Sequence, residues 1–122
     1  MIYFIGPDSA VPYTHCQTCK IEDVVRYCSS KKYLGVDTET EGLDFLTKKM
    51  IMFQIGDKEH QFVIDTRAVS IEPLRAVLEN PDIIKILHNS KFDYKMIKRW
   101  ANIELEGIWD TMLADQVIHC GK

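Results

Sequence analysis

Two carboxylates separated by one residue, Asp37 and Glu39, end an apolar segment that begins at Tyr33. In an extended strand alternate side chains point to the same side, so both carboxylates face one side of a sheet. Like charges placed in this way repel each other and lose hydration unless a cation lies between them, and hard divalent cations such as magnesium prefer oxygen ligands of this kind. The pair alone is compatible with a divalent metal site and with a strand that ends in solvent, and the helix described next favours the metal site.

A third carboxylate, Asp93, is predicted to close the site from a helix that Ser90 caps and that runs to Trp100. At about 100° per residue, Asp93 falls inside the apolar stripe of this helix. That stripe is formed by Phe92, Met96, Ile97 and Trp100. A carboxylate on the core-facing side is costly unless it is paired or bound to a cation. The basic residues of the helix lie mostly on other faces and are not evident partners; they are Lys91, Lys95, Lys98 and Arg99.

Asn89 follows a buried strand that we predict at residues 83–87, parallel to the strand of Asp37. Ligand sites collect at the carboxyl ends of such strands in sheets with helical crossovers. Asn89 could therefore hold a substrate oxygen or a carboxylate in place. A turn residue before a capped helix is the alternative, and local sequence leaves both open.

The elements that must position these residues follow from periodicity and turn signals. The predicted strands are residues 1–5 (an edge or second-tier strand), 33–38, 50–55, 60–64 and 83–87, with a hairpin turn at 56–59. The predicted helices are residues 21–28 with Thr18 as N-cap, 71–78, 90–100, and one that starts at 111 with Asp110 as its cap. This order predicts an α/β fold, a mixed sheet covered by helices, and resembles a ribonuclease-H-like core.

Composition limits the classes of function. With 122 residues and 46% hydrophobic content the chain can form one domain, 1–122, around one core. A net charge of -3 excludes a module that binds nucleic acid through bulk positive charge, although metal ions can supply the charge that faces a phosphate. No apolar run approaches the roughly 20 residues that span a bilayer, and the apolar residues 1–5 lack the features of a signal peptide. We expect no membrane partner and a cytoplasmic location.

The chain has four cysteines, and Cys16 and Cys19 have the spacing of half a zinc site or of a redox pair, with His15 beside them. A second pair with matching spacing is absent from the sequence, since Cys28 falls in a predicted helix and Cys120 near the end. We therefore interpret residues 16–19 as an ordinary loop with reduced thiols. A small thiol- or zinc-dependent regulator remains the alternative from a different class.

Three segments carry a resemblance to a known family. Residues 37–43 (Asp-Thr-Glu-Thr-Glu-Gly-Leu) resemble the first motif of the proofreading 3′–5′ exonuclease domain of A-family DNA polymerases, and residues 88–93 (His-Asn-Ser-Lys-Phe-Asp) resemble the second. Residues 107–113 (Gly-Ile-Trp-Asp-Thr-Met-Leu) are similar to the segment that follows in that family. The resemblance extends from about residue 32 to the end. Ribonuclease D-like members of the four-acid exonucleases are the near competitors, and residues 89–94 and 110–113 favour the polymerase branch.

The resemblance implies catalytic and metal-binding roles for Asp37, Glu39 and Asp93 with two divalent ions, Mg2+ or Mn2+. Asp37 would bridge both metals, Glu39 would bind one, and Asp93 would hold the second through water. One metal would generate a hydroxide that attacks the terminal phosphodiester, and the other would stabilise the leaving 3′ oxygen. The implied product is a nucleoside 5′-monophosphate.

The resemblance also implies the substrate contacts and partners. Thr40 and Leu43 would touch the 3′-terminal nucleotide of single-stranded DNA, with Leu43 wedging against its base, and Asn89 would support the substrate. Asp110 matches a position that is more often structural, as a helix cap, and is left out of the metal shell. A polymerase domain on the C-terminal side is the implied neighbour.

The family requires a fourth acid, within a Tyr-x-x-x-Asp or His-based motif on a late helix. The last acid here, Asp115, has no tyrosine four residues before it, and His119 has no aspartate after it. We therefore expect a front part of the domain, with a fold incomplete at the C-terminus and little or no activity alone. The apolar face of the last helix fits this expectation; it is formed by Met112, Leu113, Val117 and Ile118.

Two further alternatives remain open at this stage. One is a catalytically inactive module of the same fold that binds a nucleic-acid end or a partner protein. The other is a ribonuclease D-like exonuclease that acts on RNA.

Overall fold

The computed structural model describes residues 1–7 and 16–119, and these form one mixed seven-stranded sheet with helices. The strands are β1 (Ile2–Ile5), β2 (Gln17–Thr18), β3 (Tyr33–Thr40), β4 (Met50–Gly56), β5 (Gln61–Asp65), β6 (Ile84–Leu87) and β7 (Ile108–Asp110). The helices are α1 (Ile21–Ser29), α2 (Arg75–Leu78, after a 3-10 turn at Glu72–Leu74), α3 (Ser90–Ala101) and α4 (Thr111–Ile118). The predicted α/β class with a mixed sheet flanked by helices is confirmed.

The sheet has the strand order β2-β1-β5-β4-β3-β6-β7, in which only β4 runs antiparallel to its neighbours. The predicted hairpin of β4 and β5 and the predicted parallel pairing of β6 with β3 are both confirmed. Because the other strands are parallel, the carboxyl ends of β3, β5, β6 and β7 meet at one edge. We call this edge the carboxyl edge.

Alternation along the strands divides the sheet into a covered face and an open face. In β3 the side chains of Leu34, Val36 and Thr38 are buried, whereas Asp37 and Glu39 are exposed. The buried strand residues join residues of α1, α2 and α3 in a single apolar core, so these three helices pack on the covered face. Burying one such side chain contributes about 1.5–3 kcal/mol.

The structure corrects three details of the sequence prediction. Strands β2 and β7 were not predicted, since two or three residues are too few to show alternation. Because β2 is the outermost strand, β1 is the second strand of the sheet. Thr18 lies in β2, and the N-cap of α1 is Lys20, whose backbone N–H donates to Asp23. The helix predicted at 71–78 divides into a 3-10 turn, which contains Pro73, and the short α2. Within the described ranges no helix is long and apolar enough to cross a bilayer.

Candidate active site

Strand β3 brings Asp37 and Glu39 to the open face next to the carboxyl edge. Their side chains share one face, as the spacing predicts, and lie about 7 Å apart along the strand, at roughly 3.4 Å per residue. The pairing register with β4 shifts between Glu39 and Thr40, which marks an irregularity of the bulge type. Such irregularities re-aim side chains and are common next to active sites.

Asp93 reaches the same strand from the covered face. Its side chain is buried, as its position within the apolar stripe of α3 predicts, and its Oδ1 accepts a hydrogen bond of 2.5 Å from the Thr38 hydroxyl. Thr38 stands between Asp37 and Glu39 and therefore points to the opposite face. The side chains of Asp37 and Glu39 therefore lie on the open face of β3, whereas that of Asp93 lies on the covered face.

The environment of Asp93 disfavours its negative charge. Burial raises the pKa of Asp93 to about 6, although the hydrogen bond from Thr38 lowers it in part and the charge of Asp37 raises it further. Asp37 precedes Thr38 in β3, so it is adjacent in sequence to the residue that donates to Asp93. A buried acid with a raised pKa is suited to a cation or to proton transfer.

The donor set fits a hard cation only with help from other ligands. In residues 1–7 and 16–119 no group of three or more His, Cys, Asp or Glu side chains is gathered closely enough to hold a metal ion. Mg2+ is usually bound through one or two carboxylates together with waters and substrate phosphates. The carboxylates of Asp37, Glu39 and Asp93 match that oxygen chemistry as separate contributors, not as a closed cage.

Asp110, at the end of β7, holds the first turns of two helices. Its Oδ1 accepts hydrogen bonds from the backbone N–H groups of Met112 (2.9 Å) and Leu113 (3.4 Å), which confirms the predicted cap of α4. The same carboxylate accepts from the backbone N–H groups of Asn89 (3.1 Å) and Ser90 (2.7 Å) and from the Ser90 hydroxyl (2.7 Å). Burial alone would raise the pKa of Asp110, but these hydrogen bonds outweigh it and lower the pKa to about 2.

Ser90 was predicted to cap α3, and this prediction is wrong. The helix begins at Ser90, and the cap position is occupied by Asn89, whose backbone is left-handed (φ 59°) and whose side chain forms no cap hydrogen bond. A residue in this conformation turns the chain sharply between β6 and α3. The exposed side chain of Asn89 is thereby left free at the carboxyl edge, where the prediction for substrate contact places it.

The other two predicted substrate-binding residues lie in the segment after β3. The Thr40 hydroxyl donates to the Gly42 carbonyl oxygen at 2.8 Å, so it can only accept a hydrogen bond from a ligand. Leu43 is 87% exposed, so its side chain is accessible to a base. Thr40, Leu43 and Asn89 all lie at the carboxyl edge.

Sequence reasoning missed Thr38 as a member of the site. The signal was available, because a residue between Asp37 and Glu39 must point towards the helices, and Asp93 also faces them. It also missed a groove of about 580 Å3 on the open face, which runs from Asp37 past Gln54 and Gly56 and includes His88. Of the three predicted acids, Asp37 lines this groove.

The Cys16/Cys19 segment shows little of the chemistry that a zinc or redox site requires. Both cysteines are free thiols, and Gln17–Thr18 between them pairs with β1 as strand β2. Burial and the nearby charge of Asp23 raise the pKa of the Cys19 thiol to about 11. A raised pKa opposes the thiolate that binds metals or reacts. His15 and Cys120 lie outside the described residues.

Comparisons with known proteins identify a family. A family model described as 3'-5' exonuclease matches residues 14–122. The chain is 33% identical over 99 residues to DNA polymerase I of Aquifex aeolicus (strain VF5), covering 80% of the chain and 16% of that protein. It is 34% identical over 114 residues to DNA polymerase I of Borreliella burgdorferi, covering 83% of the chain and 12% of that protein. The chain thus spans less than a fifth of the length of either polymerase.

Ribonucleases are also among the similar proteins. Ribonuclease D of Pseudomonas paraeruginosa is 29% identical over 86 residues, covering 70% of the chain and 23% of that protein. The catalytic core of RRP6 from Trypanosoma brucei superposes with a TM-score of 0.77 at 20% identity, covering 98% of the chain and 31% of that structure. Escherichia coli RNase D superposes with a TM-score of 0.72 at 22% identity, covering 98% of the chain and 29% of that structure. These two structures establish the ribonuclease-H-like fold.

Proposed function

The chain belongs to the 3'-5' exonuclease family, and on that premise we propose that residues 1–122 are part of a metal-dependent exonuclease site that binds the 3′ end of single-stranded DNA for hydrolysis of its terminal phosphodiester. Alone, these residues are proposed to have little or no activity. The observation that carries the proposal is the state of Asp93. This carboxylate is buried, receives one side-chain hydrogen bond, and is repelled by Asp37. A positive ion beside the carboxylates would compensate both the burial of the Asp93 charge and its repulsion by Asp37.

We assign metal binding and catalysis to Asp37, Glu39 and Asp93. Mg2+ or Mn2+, when bound, supplies a hydroxide nucleophile and stabilises the leaving oxygen. Asp37 and Glu39 present oxygens to the open face, where a scissile phosphate can enter from solvent. Asp37 Oδ1 accepts from the Thr38 backbone N–H at 3.0 Å, which fixes its orientation and leaves Oδ2 for a cation. Asp93 contributes from the covered face, held in place by the Thr38 hydroxyl.

The substrate contacts follow from exposure at the carboxyl edge. Leu43 is the apolar side chain free to press against the terminal base, as apolar wedges do between bases. Asn89 offers both a donor and an acceptor next to the same end of the sheet. Thr40 offers an acceptor lone pair, since its proton is given to Gly42.

We further propose that this domain is the front part of an exonuclease region beside a polymerase domain, in the cytoplasm. Similarity to DNA polymerase I proteins over about four fifths of the chain supports this context. The substrate is accordingly proposed to be DNA.

The test combines metal binding with nucleotide release. Calorimetric titration should show that Mn2+ binds the wild-type chain and that Asp37→Ala loses this binding. The matched control is Asp82→Ala, an exposed acid that precedes β6 at the opposite edge of the sheet. Release of the labelled 3′ nucleotide from single-stranded DNA with Mn2+ should be slow in the wild type and in the control, because little activity is expected of residues 1–122 alone, and it should be absent in Asp37→Ala. Equal behaviour of wild type and Asp37→Ala in both assays would overturn the proposal.

Two alternatives give different results in the same assays. A catalytically inactive module would bind a 3′ end without binding Mn2+. A ribonuclease D-like enzyme, which the similarity to Ribonuclease D favours, would release nucleotides from single-stranded RNA in preference to DNA of the same sequence.

A further inference from the structure

His88 follows β6 on the open face of the sheet, and the proposed function assigns it no role. The parallel register pairs Gly35 of β3 with Ile86 of β6. Two residues further along each chain, Asp37 and His88 come level with each other. Paired residues of parallel strands point to the same face, and neighbouring strands lie about 4.8 Å apart. Both side chains are exposed and line the groove of the open face, so the His88 imidazole is the lateral neighbour of the Asp37 carboxylate.

Thr111 lies on the other side of His88. Strand β7 pairs with β6 so that Asp110 is opposite Leu87, and the next residue, Thr111, comes level with His88. The Thr111 hydroxyl oxygen is 3.0 Å from His88 Nδ1, and the hydroxyl donates to the Leu87 carbonyl oxygen at 3.2 Å. A carbonyl oxygen can only accept, and a hydroxyl has one proton to give. Nδ1 must therefore carry a proton and donate it to Thr111.

The proton on Nδ1 determines what His88 can bind. In a neutral imidazole with a proton on Nδ1, the other nitrogen, Nε2, has a free lone pair. The two nitrogens lie on opposite sides of the ring. Because Nδ1 is directed towards Thr111, beyond β6, Nε2 is directed back towards β3 and Asp37. A lone pair beside a carboxylate repels a phosphate oxygen and attracts a cation.

An imidazole nitrogen and a carboxylate oxygen on one face are ligands that suit a transition-metal ion. Metal-binding histidines usually donate their other ring N–H to an oxygen, as His88 donates to Thr111. Asp37 Oδ1 accepts from the Thr38 backbone N–H, which leaves Oδ2 for the ion. Imidazole suits first-row transition metals, whereas Mg2+ is bound mainly through carboxylates, phosphates and water.

We propose that His88 Nε2 and Asp37 bind one transition-metal ion, such as Mn2+ or Co2+, and that the nitrogen ligand makes the site prefer such ions to Mg2+. The inference rests on the proposed function, because it takes an ion to bind at Asp37. Two protein ligands leave the other positions of the ion for water and for the scissile phosphate. Thr111 is a positioning residue, since it orients the ring without contacting the ion.

The preference for one ion over another provides the first test. The 122-residue chain is titrated calorimetrically with Co2+ and with Mg2+. His88→Gln, which keeps a polar side chain, should weaken Co2+ binding by about tenfold or more, since loss of an outer partner of a ligand already costs about 10–100-fold in metal affinity. Mg2+ binding should stay unchanged. Equal changes for the two ions, or no change for either, would overturn the inference.

The matched control is His119→Gln, which removes another exposed imidazole beside a carboxylate, with Nε2 at 3.3 Å from Asp115 Oδ1. Its affinities for Co2+ and Mg2+ should equal those of the wild type. Equal losses of Co2+ binding in the two histidine variants would show that exposed histidines bind the ion without distinction, and would remove the assignment to His88.

The electron spin-echo signal of bound Mn2+ tests whether nitrogen contacts the ion directly. A nitrogen ligand modulates this signal, whereas oxygen ligands alone give no nitrogen modulation. The wild type and His119→Gln should show nitrogen modulation, and His88→Gln should bind Mn2+ without it. Modulation that persists in His88→Gln would assign the nitrogen to another residue and contradict the inference.

Thr111 provides a test of the positioning role. Thr111→Val removes the acceptor of the Nδ1 proton and should weaken Co2+ binding by about tenfold, the lower value for loss of an outer partner. Thr111→Ser keeps the hydroxyl and should bind Co2+ as the wild type does. Cooperative thermal unfolding of each variant checks that it folds. Equal Co2+ affinities of the valine and serine variants would show that Thr111 does not orient His88.

The outcomes separate this inference from the proposed function. Mn2+ binding that Asp37→Ala abolishes, together with wild-type Co2+ affinity in His88→Gln, would overturn the nitrogen ligand and leave the exonuclease site intact. Absence of Mn2+ binding in the wild type would contradict the proposed function itself.

Discussion

Asp93 and Asp110 are both buried beside the first turns of α3, with 4% and 9% of their surface exposed, yet the protein treats their charges in opposite ways. Asp110 accepts five hydrogen bonds, and its pKa is lowered to about 2. Asp93 has one side-chain donor, Thr38, and its burial raises its pKa to about 6. The same residue type, with little exposed surface at both positions, therefore has two different physical roles.

The difference shows how a structural acid can be told from a functional one. The charge of Asp110 is stabilised by the chain itself, which links two helix starts across β6 and β7 and leaves nothing for a ligand to supply. The charge of Asp93 is only partly stabilised and is opposed by Asp37. The ionised carboxylate therefore destabilises the fold, and a bound cation can remove this destabilisation. Perturbed acids of this kind cluster at functional sites.

The strongest test of the comparison is to remove Asp110. Asp110→Ala should lower the free energy of unfolding at pH 7 by about 2–4 kcal/mol, because backbone donors at two helix starts and the buried Ser90 hydroxyl lose their acceptor. Urea unfolding followed by circular dichroism measures the change. Asp110→Asn keeps one acceptor oxygen and should lose less. A loss below about 1 kcal/mol for the alanine variant would show that the five hydrogen bonds do not stabilise the fold.

Replacing Asp93 should raise the free energy of unfolding instead of lowering it. Its pKa rises from 3.8 to about 6 on folding, so the folded state binds the extra proton between these values and stability falls as the pH rises through this range. Asp93→Asn should therefore be more stable than the wild type at pH 8 in EDTA, by up to about 3 kcal/mol, and equally stable near pH 4. Thermal unfolding at both pH values measures this. A wild type whose free energy of unfolding does not fall between pH 4 and pH 6 would contradict the raised pKa of Asp93.

Bound metal should reduce the difference in stability between Asp93→Asn and the wild type at pH 8. Mn2+ at one hundred times its dissociation constant should stabilise the wild type at pH 8 by about 2.7 kcal/mol, since it binds the folded chain. Asp93→Asn should gain much less, and Asp82→Ala should gain as much as the wild type. Equal gains in Asp93→Asn and in the wild type would place the ion away from Asp93.

What the sequence could predict was determined by short-range patterns. Alternation along β3 placed Asp37 and Glu39 on one face, and helical periodicity placed Asp93 among buried side chains; the structure confirms both. The cap of α4 by Asp110 was equally local, since donor and acceptor lie two and three residues apart.

What the sequence could not predict depends on contacts between distant segments. In the sequence Ser90 has the residue type and position expected of an N-cap. In the structure its hydroxyl and its backbone N–H donate to Asp110, twenty residues later. This contact exists because β7 pairs with β6 and sets Asp110 opposite Leu87, and a three-residue strand has no periodic signal. Lys85 is a second case: it is fully buried in β6 because the carbonyl oxygens of Asn80 and Glu106 accept from its ammonium group.

The smallest and most specific test concerns Thr38. Thr38→Val keeps the shape of the side chain and removes the one hydroxyl that donates to Asp93, whereas Thr38→Ser keeps the donor. Loss of one hydrogen bond to a carboxylate, about 1 kcal/mol, should raise the pKa of Asp93 by about 0.7. The pH at which Mn2+ binding reaches half its maximum should rise by a similar amount in the valine variant and stay unchanged in the serine variant.

Titration of Mn2+ affinity against pH separates two ways in which Asp93 could be positioned. If the hydroxyl holds the carboxylate, the valine and serine variants diverge, and the residue between the two acids of β3 belongs to the site as a positioning residue. If the packing of α3 alone holds it, both variants follow the wild-type curve, and Thr38 contributes only to the core. The first result would mean that one strand serves both faces, with alternate residues binding the metal and aligning the acid beneath it.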